Sequence, residues 1–94
     1  MSAKEQRRVE AEERQNRSRA RKAQQKVVSA IEERIAELEK RREEIHDTLQ
    51  DPEIYSKGSL AADLNRELKE IGETLDALHG EWEQEATKLE TLDA

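Results

Sequence analysis

Apolar residues recur along the chain at alternating steps of three and four, in two long runs separated by one interruption. The first run is Val28, Ile31, Ile35, Leu38, Arg42, Ile45 and Leu49. With Val28 at heptad position a, every a and d site except Arg42 is β-branched or Leu, the pattern of a helix packed against a partner helix. At 1.5 Å per residue this seam is roughly 33 Å long. The second run is Leu64, Leu68, Ile71, Leu75, Leu78 and Trp82, continuing to Leu89 and Leu92, with Glu85 at the intervening d site. Gly72 and Gly80 lie off the a and d positions and do not break the second helix, although each costs about 1 kcal/mol relative to Ala.

Between the runs stands Leu49-Gln-Asp-Pro-Glu-Ile-Tyr-Ser-Lys-Gly-Ser-Leu60. Pro52 has no backbone N–H and biases Asp51 away from helical angles, Gly58 adds freedom, and Ser56 and Ser59 are both good helix N-caps. Two apolar stripes joined by a short turn at 51–59 bury each other best as an antiparallel hairpin. The expected fold is therefore all-α: a two-helix antiparallel coiled-coil hairpin with a long N-terminal helix. Residues 1–26 form a basic lead-in on helix 1, and residues 27–94 form the hairpin proper.

With Gln50 beside Ser59, the register sets Leu78 against Ile31, Leu75 against Arg34 and Ile35, and Trp82 over Val27 and Val28. It sets Gln24 opposite Glu85 and leaves Glu85 about one turn from Arg21. Arg42 is expected to snorkel or to pair with Glu67. Trp82 reads as a packing residue that closes the seam, and Tyr55 as a cover for the turn end of the core.

Composition narrows the class. Charged residues make up 43% of the chain and there is no Phe, so composition disfavours a compact globular core and favours long helices. No Cys is present, which removes thiolate metal sites, disulfides and a Cys nucleophile, and fits a cytosolic location. No apolar run approaches the roughly 20 residues needed to cross a membrane. The net charge of −6 conceals an asymmetry: residues 1–26 balance at +5 and residues 27–94 at −11.

That asymmetry locates the best candidate site. Arg14, Arg17, Arg19, Arg21, Lys22 and Lys26 form a run with no acid among them, and Arg14, Arg17 and Arg21 share a helix face. Closely spaced cations of this kind suit phosphate contacts, DNA or RNA, through counterion release. Without interleaved aromatics, binding would be to the backbone rather than by base stacking. The competing reading pairs these cations with Glu85, Glu90 and Asp93 on the returning helix. Nothing points to catalysis. The three glycines are isolated, His46 and His79 lie on different helices without a third ligand, and the many Glu residues solvate helix faces.

Several segments resemble the C-terminal coiled-coil domain of ABC-F ATPases, the group that includes the Uup type. They are Lys4-Glu-Gln-Arg-Arg-Val-Glu-Ala-Glu-Glu-Arg14, Asn16-Arg-Ser-Arg-Ala-Arg-Lys22, Ile31-Glu-Glu-Arg-Ile-Ala-Glu-Leu-Glu39, Asp51-Pro-Glu-Ile-Tyr-Ser56 and Leu78-His-Gly-Glu-Trp-Glu83. The turn residue Tyr55 followed 27 residues later by Trp82 is the most specific of these features, with Pro52 marking the turn. The resemblance implies an excised, non-catalytic C-terminal domain of a cytoplasmic protein with two ATP-binding cassettes. ATP and Mg would belong to those missing cassettes, so no cofactor is expected in this chain. It further implies a nucleic-acid role, on DNA or ribosomal RNA, and no membrane partner. The chain departs from many family members at Lys57-Gly58, where they carry Asp-Pro, so Ser56 or Ser59 is left to cap helix 2. Alternatives are a purely structural protein–protein coiled coil, including a weak homodimer through the basic segment, and a release-factor-like helical domain with a similar Asp-Pro turn. A seryl-tRNA-synthetase-like arm is a third helical hairpin, but no motif here supports it.

Overall fold

The computed structural model describes all 94 residues. Helix α1 spans Ala3–Leu49, a single-turn 3₁₀ segment spans Pro52–Ser56, and helix α2 spans Leu60–Asp93. The two α-helices run antiparallel in a rod of 80 × 16 × 16 Å. The all-α hairpin expected from the two apolar runs is the observed fold.

α1 is continuous through the basic segment. The helix begins at Ala3, and Ser2 caps it. Its hydroxyl accepts from the Glu5 N–H at 3.2 Å, and Glu5 places negative charge on the first turn. At the other end the helix tightens: the N–H groups of Gln50 and Asp51 donate to the carbonyls of Asp47 and Thr48, both at 3.1 Å.

The turn is built by five local devices. Asp51 is extended, as a residue before proline should be, and its carboxylate accepts from the Glu53 N–H at 3.0 Å. Pro52 then starts the 3₁₀ segment with its fixed φ. Ile54 is buried, turning inward to plug the end of the core, whereas Tyr55 is 61% exposed. Tyr55 was the expected cover; it instead lies outside and donates its hydroxyl to the Leu49 carbonyl at 3.0 Å, satisfying one of the acceptors left open at the end of α1. Gly58 has φ of 63°, a conformation that disfavours any Cβ, and it reverses the chain into α2.

Neither serine caps α2 through its side chain. Ser59 occupies the N-cap position, but its hydroxyl donates to the Asp63 carboxylate at 3.4 Å, and the Ser56 hydroxyl donates back to the Glu53 carbonyl at 2.8 Å. The Gly58 reversal holds Ser59 at φ −90° and ψ 7°, outside the extended geometry in which a side chain reaches the first-turn N–H groups.

The core is a thin seam, as two helices alone allow. Val28, Ile31, Leu38 and Ile45 from α1, Ile54 from the turn, and Ile71 and Leu75 from α2 are buried. Leu38, Ile45, Ile71 and Leu75 form its centre, flanked by Ile35, Leu49, Leu64, Leu68 and Leu78. Ile45 is wholly inaccessible.

Candidate nucleic-acid interface and its surroundings

The heptad frame of α1 runs back from Val28 through Gln24, Arg21, Arg17 and Arg14. The face that is apolar inside the hairpin thus becomes cationic toward the N-terminus. Arg19, Lys22 and Lys26 form a second stripe, roughly 140° away around the helix axis at 100° per residue. The structure brings the six cations onto one rigid helix as two stripes rather than one patch.

Their partners within the chain are few. Arg21 approaches Asp93 at 3.8 Å, with both side chains about half exposed. This is the sole ion pair made by the run; Arg14, Arg17, Arg19, Lys22 and Lys26 have no carboxylate within ion-pair distance. Pairing with Glu85 and Glu90, the alternative use for these cations, is not observed. Glu85 instead faces Gln24, whose side-chain amide donates to the Glu85 carboxylate at 2.7 Å and to its backbone carbonyl at 2.9 Å. Lys88 approaches the same carboxylate at 3.1 Å. The Gln24 hydrogen bond, followed by Lys88, holds the Glu85 carboxyl below its ordinary pKa. Glu85 can therefore sit at a d position without leaving a bare buried charge.

The register is right at Gln24 and Glu85, and two of the side-chain assignments need correction. Glu67 is met by Arg41, not Arg42: the guanidinium makes an ion pair at 2.8 Å and donates Nε–H to both carboxylate oxygens at 3.0 and 3.2 Å. Arg42 occupies an a site, half-buried and without an ion pair, while Arg41 occupies the flanking g site where cross-helix charge pairs form. The hydrogen bond to Glu67 is the main reason that the Arg41 pKa lies above its ordinary value. Trp82 is only partly covered. It is 37% exposed and lines a groove with Glu32, Ile35, Ala36, Glu39 and His79, and Val27, which the register set beneath it, is 42% exposed. Side chains on a helix tilt toward its N-terminus, so Trp82 leans toward the turn and meets residues further along α1.

Both flanks of the hairpin carry an interhelix ion pair and a groove. On one, a groove of about 380 Å³ surrounds Arg41 and Glu67. The other holds the Trp82 groove, of about 410 Å³, and nearer the N-terminus of α1 a smaller one of about 160 Å³ lined by Arg21, Lys22, Gln25, Leu89 and Asp93. Neither groove nor any other region gathers three ligating side chains for a metal ion. His46 lies in the last turn of α1 and His79 in the Trp82 groove. Sequence reasoning missed the groove, though Ala36 on its α1 wall was a usable signal, since a small side chain cannot fill it. The burial of Ile54 was likewise visible as the one aliphatic residue inside the turn.

Fold and site together define a non-globular helical arm: an antiparallel coiled-coil hairpin whose long helix carries unpaired cations. The family model described as the ABC transporter C-terminal domain matches residues 19–86, and the chain belongs to that family. This match favours the ABC-type reading of the Asp-Pro turn over the release-factor-like one. No curated protein and no solved structure matches the chain. No helix is long and apolar enough to cross a membrane.

Proposed function

We propose that this chain is a non-catalytic accessory domain of a cytoplasmic, translation-linked ABC-F ATPase and that it contacts DNA or ribosomal RNA. The observation that carries this reading is the state of the basic run. Five of its six cations have no acidic partner in the chain, so binding phosphates does not first require breaking an internal ion pair. Family membership supports attachment to an ATP-binding cassette protein. Glycines occur only in the turn and singly within α2, which supports placing nucleotide binding outside this chain. ATP and Mg in this reading belong to cassettes elsewhere in the parent protein.

Phosphates bind the two stripes by charge, with little dependence on base sequence. The acidic hairpin limits the contact to the basic segment and keeps the interaction local despite the net charge of −6. The test is a salt titration of binding to duplex DNA and to a structured RNA of equal length. Log affinity is expected to fall linearly with log salt, with a slope of about −0.9 per phosphate contacted on B-DNA. Replacing Arg14→Gln and Arg17→Gln together should reduce that slope by about two. A preference for one nucleic acid would distinguish a chromosomal from a ribosomal target. Absence of binding to either at low salt would overturn the proposal and favour a purely structural arm.

A further inference from the structure

Unpaired carboxylates line the Trp82 groove, and we infer that it docks a basic α-helix of a protein partner. Glu32, Ile35, Ala36 and Glu39 of α1 and His79 and Trp82 of α2 form its walls, with no Lys or Arg among them. Glu32 and Glu39 are exposed and make no ion pair within the chain. Asp76 and Glu83, about one turn on either side of His79 along α2, are exposed and unpaired too. The neighbouring grooves differ in charge: Arg41 and Arg66 are paired with Glu67 and Asp63 in one, and Arg21 and Lys22 stand in the other. The Trp82 groove therefore attracts a cationic partner and repels a polyanion.

The shape of the groove selects a helix over a small ion. Glu32 and Glu39 stand seven residues apart on one stripe of α1, about 10.5 Å along its axis. A helix lying along the rod repeats its own face at the same interval, so Lys or Arg at i and i+7 meets both carboxylates at once. Between those acids the groove is apolar, formed by Ile35, Ala36 and Trp82. An apolar residue at i+4 of the partner faces Ala36, whose small side chain lets the second helix approach. The stems of the partner's cations cover Ile35, and the Trp82 ring, 37% exposed, takes a head group on its face. A small inorganic ion has no apolar surface to place there. None of the six cations of the basic run lines this groove, so a partner helix and a phosphate backbone engage different parts of the chain.

The probe is an alanine-based helical peptide with Arg at i and i+7 and Leu at i+4. Its control has the same composition, with the two Arg five residues apart and so about 140° apart around the helix. Each is titrated into the 15N-labelled 94-residue chain at about 0.01 M salt, following the indole N–H of its single Trp. The i, i+7 peptide should shift that resonance and bind about threefold more tightly than the control, as one further exposed ion pair allows. Glu32→Gln with Glu39→Gln should weaken it about fivefold. Glu12→Gln with Glu13→Gln, an equal change of charge far along α1, should leave it unaltered. Circular dichroism checks that both variants retain their helix content. Equal affinity for the two peptides, equal effects of the two variants, or an indole resonance that does not move would each overturn the inference. A resonance that moves on dilution of the chain alone would place a second copy in the groove and overturn it equally. The Glu32/Glu39 variant keeps every cation of the basic run, so failure here is distinct from failure of phosphate binding.

Discussion

Replacing Ile45→Ala probes the physical basis of the hairpin most directly. Ile45 has no exposed surface and sits in the central cluster with Leu38, Ile71 and Leu75. The substitution removes three carbons, a transfer loss of about 2.4 kcal/mol at 0.8 per buried methylene. The residual cavity adds to this, but a two-helix rod has no third layer to hold the walls apart, so partial collapse keeps the total near 2–4 kcal/mol, within the range for such truncations. A domain of this length has a total stability of about 5–14 kcal/mol, and one with seven buried residues should lie toward the lower end. The single change should therefore consume a large share of it. Urea denaturation followed by far-UV circular dichroism measures the loss as a fall in midpoint at unchanged slope. Trp82→Ala serves as the internal contrast. With its indole more than a third exposed, it should cost about 1–2 kcal/mol, below the 3–5 of a fully buried aromatic. A cost under about 1 kcal/mol for Ile45→Ala, the range of ordinary surface changes, would refute the assignment of the core to this seam.

The glycines should respond with opposite signs. Gly58→Ala puts a Cβ on a left-handed residue and should destabilise by about 1–2 kcal/mol, whereas Gly80→Ala, in an α2 interior with open space at the Cβ, should stabilise by about 0.5–1 kcal/mol in the same assay. The Glu85 carboxyl supplies a pH test. Its pKa is depressed in the folded chain, so the stabilisation it provides is present above its ordinary, unfolded value of 4.5 and is lost as pH falls through the lower folded value. Gln24→Ala removes the main cause of the depression, so the Glu85 carboxyl titration followed by NMR should move up toward 4.5; an unchanged titration would show that Gln24 does not hold it.

The sequence by itself determined the two helices, the turn at Pro52, the antiparallel pairing and the position of the basic run. These follow from periodicity, one imino acid and the distribution of charge, all of which are local or nearly so. Even the register was legible to the level of Gln24 opposite Glu85, because a short turn joining two regular helices leaves little freedom in their alignment. Tertiary structure decided how the side chains leave that frame. Heptad counting assigns positions but not directions, and Cα–Cβ tilt carries Trp82 toward the turn, where it lines a groove beside Ile35 and Ala36. Arg41 rather than Arg42 meets Glu67 because an ion pair forms at the flank, where both chains reach each other without entering the apolar layer. In the turn, whether Ile54 or Tyr55 points inward depends on the backbone rotation set by Asp51, Pro52 and Gly58 together, which no single residue specifies.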